Sequence, residues 1–142
     1  MKIGIVGSRS RKDRETVEKF VRSLAETDIV ISGGCRGVDT WAETAAKKRG
    51  LKTVIFKPKM PAKGAPRYEF TKAFYARNQL IAETCDVLAA FVSSDRKGGT
   101  ENTVKHAQKA GKKIILIHPN QSLEHPQNRP NQGPDQLHFP GM

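Results

Sequence analysis

Three short segments combine glycine with hydroxyl and cationic side chains, the residue types that hold phosphate. The first is Gly7-Ser8-Arg9. Its glycine lets backbone amides approach an anion, Ser8 offers a hydroxyl, and Arg9 offers a bidentate fork. The second is Ser32-Gly33-Gly34-Cys35-Arg36-Gly37-Val38-Asp39. Adjacent glycines followed by a third before a helix start would leave free N–H groups pointing out where the helix dipole favours negative charge. Asp39 either caps that helix or accepts a hydrogen bond from a ribose or base. The third is Lys97-Gly98-Gly99-Thr100-Glu101, preceded by Ser93, Ser94, Asp95 and Arg96. It repeats the device, and the repetition argues against turn chemistry alone.

Arg77-Asn78 forms a fourth candidate. Phe70, Phe74, Arg77 and Ile81 fall on one face at helical spacing, so Arg77 lies on an apolar stripe. There it either snorkels, meets an anion in the site or pairs with Glu83 or Asp86. Asn78 is placed to read a base or a ribose hydroxyl. Among carboxylates, Glu101 falls in a first helical turn, where it either complements the helix dipole or polarises a sugar centre. Arg77 and Glu101 are thus the candidate catalytic pair. Cys35 has no histidine or second cysteine near it in sequence, and the four histidines do not cluster. No metal site and no cofactor are expected. The spacing fits neither a P-loop nor the dinucleotide fingerprint.

The elements that must position these residues alternate strand and helix. Apolar runs at residues 2–6, 28–32, 51–56, 86–92 and 113–118 predict strands. Amphipathic stretches predict helices: one capped by Asp13 and carrying Val17, Phe20, Val21 and Leu24, then residues 38–49, 67–84 and 99–110. Residues 57–66 form a basic loop with Pro58, Pro61 and Pro66. Buried strands alternating with helices predict an α/β fold: a Rossmann-like, doubly wound parallel sheet of about five strands with helices on both faces. The expected organisation is one domain over residues 1–118. A Pro/Gln/Asn-rich segment, 119–142, lacks apolar periodicity and reads as a disordered tail. Ligands of such a sheet bind outside the carboxyl ends of its strands, the edge to which all three glycine segments belong.

With 142 residues, one domain needs no disulfide or metal to hold it. Two cysteines point to free thiols in a reducing compartment. No apolar run is long enough to span a bilayer or to serve as a signal peptide. The expectation is a cytoplasmic protein with no membrane partner. The net charge of +11 and pI near 10.0 favour phosphate-bearing or nucleic-acid partners.

The segments at Gly7-Ser8-Arg9, Ser32 to Asp39, Arg77-Asn78 and Gly98-Gly99-Thr100-Glu101-Asn102-Thr103 resemble those of the SLOG superfamily. That Rossmann-like fold is shared by the cytokinin-activating LOG proteins (lysine decarboxylase-like), the DNA-processing DprA/Smf proteins and small DUF2493/YspA-type members. The small members are the most similar. The resemblance covers about residues 2–118. It implies a pocket for a nucleotide or nucleotide derivative, a nucleoside monophosphate or an ADP-ribose-like signal. Gly7, Ser8, Arg9, Ser32, Gly33, Gly34, Arg36, Gly37, Asp39, Arg77, Asn78, Gly98, Gly99 and Thr100 would line it. It also implies two alternatives. LOG proteins hydrolyse N-glycosidic bonds of nucleoside monophosphates with an Arg and a Glu, the roles open here to Arg77 and Glu101. Counted from Thr100, however, Thr103 stands at the glutamate position, and Lys97 stands where the LOG motif has proline. DprA-like members bind single-stranded DNA on a basic surface. Superfamily relatives often form homodimers, for which Phe70, Phe74 and Phe91 offer apolar area.

Overall fold

The computed structural model of the chain describes residues 1–119. Five strands alternate with four helices: β1 Lys2–Gly7, α1 Arg14–Arg22, β2 Ile29–Ser32, α2 Val38–Lys48, β3 Lys52–Ile55, α3 Arg67–Thr84, β4 Val87–Phe91, α4 Gly99–Lys109 and β5 Lys113–Ile117. Residues 120–142, nearly all of the segment read as a tail, lie outside the described residues.

All neighbouring strands pair in parallel, in the order β3-β2-β1-β4-β5. This is the doubly wound Rossmann-like arrangement. The chain builds outward from β1 in one direction, then returns to the other side of β1 with β4. The central strands carry apolar residues on both faces, as a sheet covered on both sides requires. Ile3 and Ile5 pack with Val17, Phe20 and Val21 of α1 and Val38, Ala42 and Ala46 of α2. Val6, Leu88 and Ala90 pack on the other face with Ile81 and Ala82 of α3 and Val104 and Ala107 of α4.

Most strand ends fall a residue inside the predicted runs, while β1 runs one residue further, to Gly7, and α3 matches at both ends; polar groups flanking the strands close the fold. The buried Asp28 carboxylate accepts from the Ala25 N–H (2.9 Å) and the N-terminal ammonium (3.1 Å). Asp86 Oδ2 accepts from the Lys2 N–H (2.7 Å). Asp13 stands at the helix entry but makes no side-chain cap bond to the helix. Its carboxylate is held instead by Arg11 Nε (2.9 Å) and Nη2 (2.5 Å), and this pair keeps its pKa below the usual range. Nothing in the sequence singles out Arg11. It is buried, donates Nη1 to the carbonyls of Val92 (3.0 Å) and Ile117 (2.6 Å), and lies over the Phe91 ring. It ties the carboxyl ends of β4 and β5 together.

Phe91 is fully buried and meets Phe20 edge-on. The expected apolar surface of Phe70, Phe74 and Phe91 therefore does not exist as one face. Phe91 belongs to the core on the α1–α2 side, whereas the other two rings lie on α3. Among the described residues, no helix is long and apolar enough to cross a membrane.

Candidate functional site

Strand order reverses between β1 and β4, and this switch point is where an open α/β sheet leaves a crevice. A cavity of about 470 Å³ opens there. The β1 end contributes Gly7, Ser8 and Arg9, and the β4–α4 junction contributes Lys97, Gly98, Gly99 and Thr100. Helix α3 closes the remaining side with Thr71, Phe74, Tyr75, Arg77 and Asn78. One end of the cavity is thus cationic and rich in backbone amides, and the other is aromatic.

The polar end is built from two loops that differ in their internal hydrogen bonding. Ser8 is fixed by its N–H to the Phe91 carbonyl (3.0 Å), and its hydroxyl shares a bond with Ser10 Oγ (2.8 Å). Arg9 is exposed and has no hydrogen-bond or ion-pair partner among the described residues. The β4–α4 loop is braced from within. Asp95 Oδ1 accepts from Ser93 Oγ (2.7 Å) and the Lys97 N–H (3.2 Å). Gly98, at the α4 N-cap, has φ 106° and ψ −168°, a region open essentially to glycine alone. The conformation turns the chain abruptly from the brace into α4, whose first residues, Gly99 and Thr100, line the cavity, at a helix end whose leading amides have no partner within the helix.

Glu101 takes no part in that face. Arg96 Nε and Nη2 fork its carboxylate at 2.7 and 2.8 Å, and Glu101 does not line the cavity. The position that does is Thr103, two residues further round the helix. The Arg77–Glu101 pair expected from sequence is therefore not assembled.

Arg77 is buried among protein acceptors. Its Nη1 donates to the Gly33 carbonyl (2.6 Å), Nη2 to Cys35 Sγ (3.3 Å) and Nε to Asn78 Oδ1 (3.0 Å). It reaches the cavity over the Phe74 ring, 5.9 Å from the centroid. Neither Glu83 nor Asp86 pairs with it: Glu83 accepts from Gln79 and Asp86 from the Lys2 amide. Asn78 Nδ2 donates to Asn102 Oδ1 (3.2 Å) and the Gly99 carbonyl (3.4 Å). Its amide thereby joins α3 to the start of α4.

The β2–α2 segment departs most from its sequence reading. Gly37, not Asp39, stands at the N-cap of α2. Asp39 folds back so that Oδ2 accepts the N–H groups of Gly33 (3.0 Å) and Cys35 (3.3 Å). The expected anion cradle is thus filled by the chain's own carboxylate. Only Cys35 and Asp39 of this segment line the cavity. Ser32, Gly33, Gly34, Arg36 and Gly37 support the wall from behind or lie beside it. Ser32 is fully buried, with its hydroxyl unpartnered. Burial raises the Asp39 pKa to about 6, against the opposing pull of the two amides, Arg77 and Arg9.

Of the residues singled out in the sequence, Gly7, Ser8, Arg9, Asp39, Arg77, Asn78, Gly98, Gly99 and Thr100 meet around one cavity. Sequence reasoning misses the aromatic wall of Phe74 and Tyr75. Its signal is the i, i+3 spacing of Phe74 and Arg77, which puts both on one helix face. Among the described residues, no cluster of three or more His, Cys, Asp or Glu side chains is placed to hold a metal.

Fold and site together define a Rossmann-like α/β domain with a small polar-to-aromatic crevice at its topological switch point. The model of the SLOG cluster4 family matches residues 1–138, and the chain belongs to that family. It is similar to the DNA processing protein DprA of Streptococcus pneumoniae (strain ATCC BAA-255 / R6), with 28% identity over 82% of this chain and 50% of that protein. The X-ray structure of S. pneumoniae DprA superposes with a TM-score of 0.68 at 23% identity, over 87% of this chain and 52% of that one. The X-ray structure of TM1055 gives a TM-score of 0.65 at 21% identity, covering 85% and 76% of the two chains. The chain spans about half the length of the DprA protein it matches.

Proposed function

We propose that the protein binds a nucleotide or nucleotide derivative, such as a nucleoside monophosphate or an ADP-ribose-like molecule, in the crevice between β1 and β4. The observation that carries this reading is the convergence of two glycine-containing loops with cationic side chains and an aromatic wall on a single cavity at the switch point. Arg9, Lys97, Ser8 and the α4 amides would hold phosphate. Phe74 and Tyr75 would pack against a base or sugar at the other end. Arg77, Asn78 and Asp39 serve chiefly to fix the walls, since each is already bonded to protein. The volume of about 470 Å³ suits a small ligand, for which sites run roughly 300–1,000 Å³.

Membership of the SLOG family and the likeness to a DNA processing protein support a function connected with nucleotides or DNA. Binding without turnover is the function proposed. Glu101 is occupied by Arg96, and the carboxylate that does line the cavity, Asp39, is bonded to backbone amides.

A thermal-shift panel at fixed salt tests the proposal with AMP, GMP, NAD and ADP-ribose. At 100 times its dissociation constant a ligand adds about 2.7 kcal/mol of stability, which moves the melting temperature by several degrees in a domain of this size. The expected result is a shift with at least one of these, lost in Arg9→Ala. No shift with any of the four overturns the proposal.

A further inference from the structure

A cavity arranged for an anion holds a carboxylate of its own. Among the described residues Asp39 is the only acidic side chain on its lining, against the cations Arg9, Arg77 and Lys97. Asp39 is 5% exposed. Its Oδ2 is spent on the N–H groups of Gly33 and Cys35. Its Oδ1 has no hydrogen-bond or ion-pair partner among the described residues.

The charged and titratable groups around it come from four elements. Arg77 faces it from α3 and Arg9 from the end of β1. Its own loop supplies the Cys35 thiol, which is bonded to Arg77 Nη2 (3.3 Å). The β4–α4 junction supplies Lys97 on the cavity lining. One turn further along α2, Glu43 is tied to Lys47 (2.7 Å). Burial raises the Asp39 pKa to about 6, while the two amides, Arg77 and Arg9 pull it down.

The two arginines differ in their freedom. Arg77 spends Nε, Nη1 and Nη2 on Asn78, Gly33 and Cys35. Arg9 is exposed and is the fork offered to a ligand phosphate. A phosphate that engages Arg9 removes part of the charge compensating Asp39. It also adds a second negative charge to the same enclosed space. Both changes favour the protonated carboxyl. A ligand that raises the pKa of a group takes up a proton on binding and is held less tightly as pH rises. The proton belongs on Oδ1, since Oδ2 already accepts two amides.

We propose that Asp39 couples ligand binding in this cavity to a proton: the nucleotide binds the form in which Oδ1 is protonated, so affinity is highest in mildly acidic solution and falls towards neutral pH. The inference rests on the nucleotide reading of the cavity and adds its regulation.

Isothermal titration calorimetry of wild type and Asp39→Asn with AMP and ADP-ribose, at pH 5, 6 and 7 and fixed ionic strength, tests it. Asparagine keeps an acceptor for the two amides and turns N–H groups to the cavity, so it stands in for the protonated acid. The ratio of the two proteins' dissociation constants cancels the ligand's own ionisation. With Asp39 titrating at about 6 and its protonated form the competent one, the ratio of wild type to variant should rise about tenfold from pH 5 to pH 7. A second reading needs wild type alone and serves if Asp39→Asn does not fold. At pH 7 AMP is already largely dianionic and ADP-ribose has no phosphate that titrates. Either should therefore bind with uptake of close to one proton, read from the heats in two buffers of different ionisation enthalpy. A ratio flat with pH, or binding without proton uptake, overturns the inference while the nucleotide cavity stands. A ratio that falls with rising pH overturns it too, and makes the ionised Oδ1 an acceptor for a ligand hydroxyl. No binding of either ligand to either protein at any pH overturns the nucleotide reading, and this inference with it.

Discussion

Gly33 has room for a hydrogen and nothing larger, because a Cβ there would collide with the Arg77 guanidinium and lie 3.0 Å from Asp39 Oδ2. Gly33→Ala should therefore push Arg77 out of its buried position. We expect a loss of about 1–3 kcal/mol in chemical denaturation, typical of overpacking, and at least a tenfold loss of nucleotide affinity. Asp39 yields a prediction with a definite sign. Its folded pKa, about 6, lies above the unfolded value of 3.8. Its contribution is most favourable below pH 4 and is lost as pH rises through 6. Asp39→Asn keeps an acceptor for the two amides and removes the charge. The variant should gain on wild type as pH rises from 4 to 7, by an amount on the order of 2 kcal/mol, read from urea melts at each pH. A difference that stays flat with pH contradicts a buried, destabilised carboxylate. At this scale the sequence showed which residues matter better than what each one does. Gly33, Asp39 and Arg77 stood out as types, but their mutual contacts join residues 44 positions apart, Arg77 to Gly33. No local pattern encodes that contact; the bonds by which Asp39 fills the glycine loop are local, six and four residues back, but an Asp at a helix start serves equally as a cap, so the loop reads as an open cradle.

The decisive element is the junction from β4 into α4. Asp95 and Ser93 brace it, Arg96 leaves the usual backbone region with φ 54°, and Gly98 completes the turn at φ 106°. Gly98→Ala should cost about 1–3 kcal/mol through backbone strain alone, since a Cβ at that position meets nothing within 4 Å. The same variant should weaken ligand binding by moving the α4 amides. Unchanged stability in a denaturant titration would show that the turn can be made another way. The elements themselves were legible: apolar runs and helical spacing placed all nine to within a residue or two. Periodicity reports which side chains are buried, and burial is what the strands and helices satisfy. The interlocking of α3 with α4 through Asn78 was not legible. Asn78 Nδ2 meets Asn102 across 24 residues, and a single asparagine offers no signal of where its amide will be spent.

For the whole molecule, the strand order β3-β2-β1-β4-β5 decides which loops can cooperate. Alternating strands and helices imply a parallel sheet, but the sequence alone does not number its strands. Once β4 is set beside β1, Gly7-Ser8-Arg9 and Gly98-Gly99-Thr100 become neighbours, and the β2 loop moves to the flank. This placement explains why only two residues from the longest glycine segment, Cys35 and Asp39, line the cavity. It also sets α3 along the remaining side of the cavity, which Thr71, Phe74 and Tyr75 line. The measurement that tests nucleotide binding at the switch point most directly is amide chemical-shift mapping of the isotopically labelled chain during titration with AMP. Saturable shifts are expected at Gly7, Ser8, Arg9, Lys97, Gly98, Gly99 and Thr100, with weaker ones at Phe74 and Tyr75. Shifts absent from the first group, or concentrated on a face away from the β1–β4 switch point, would contradict it.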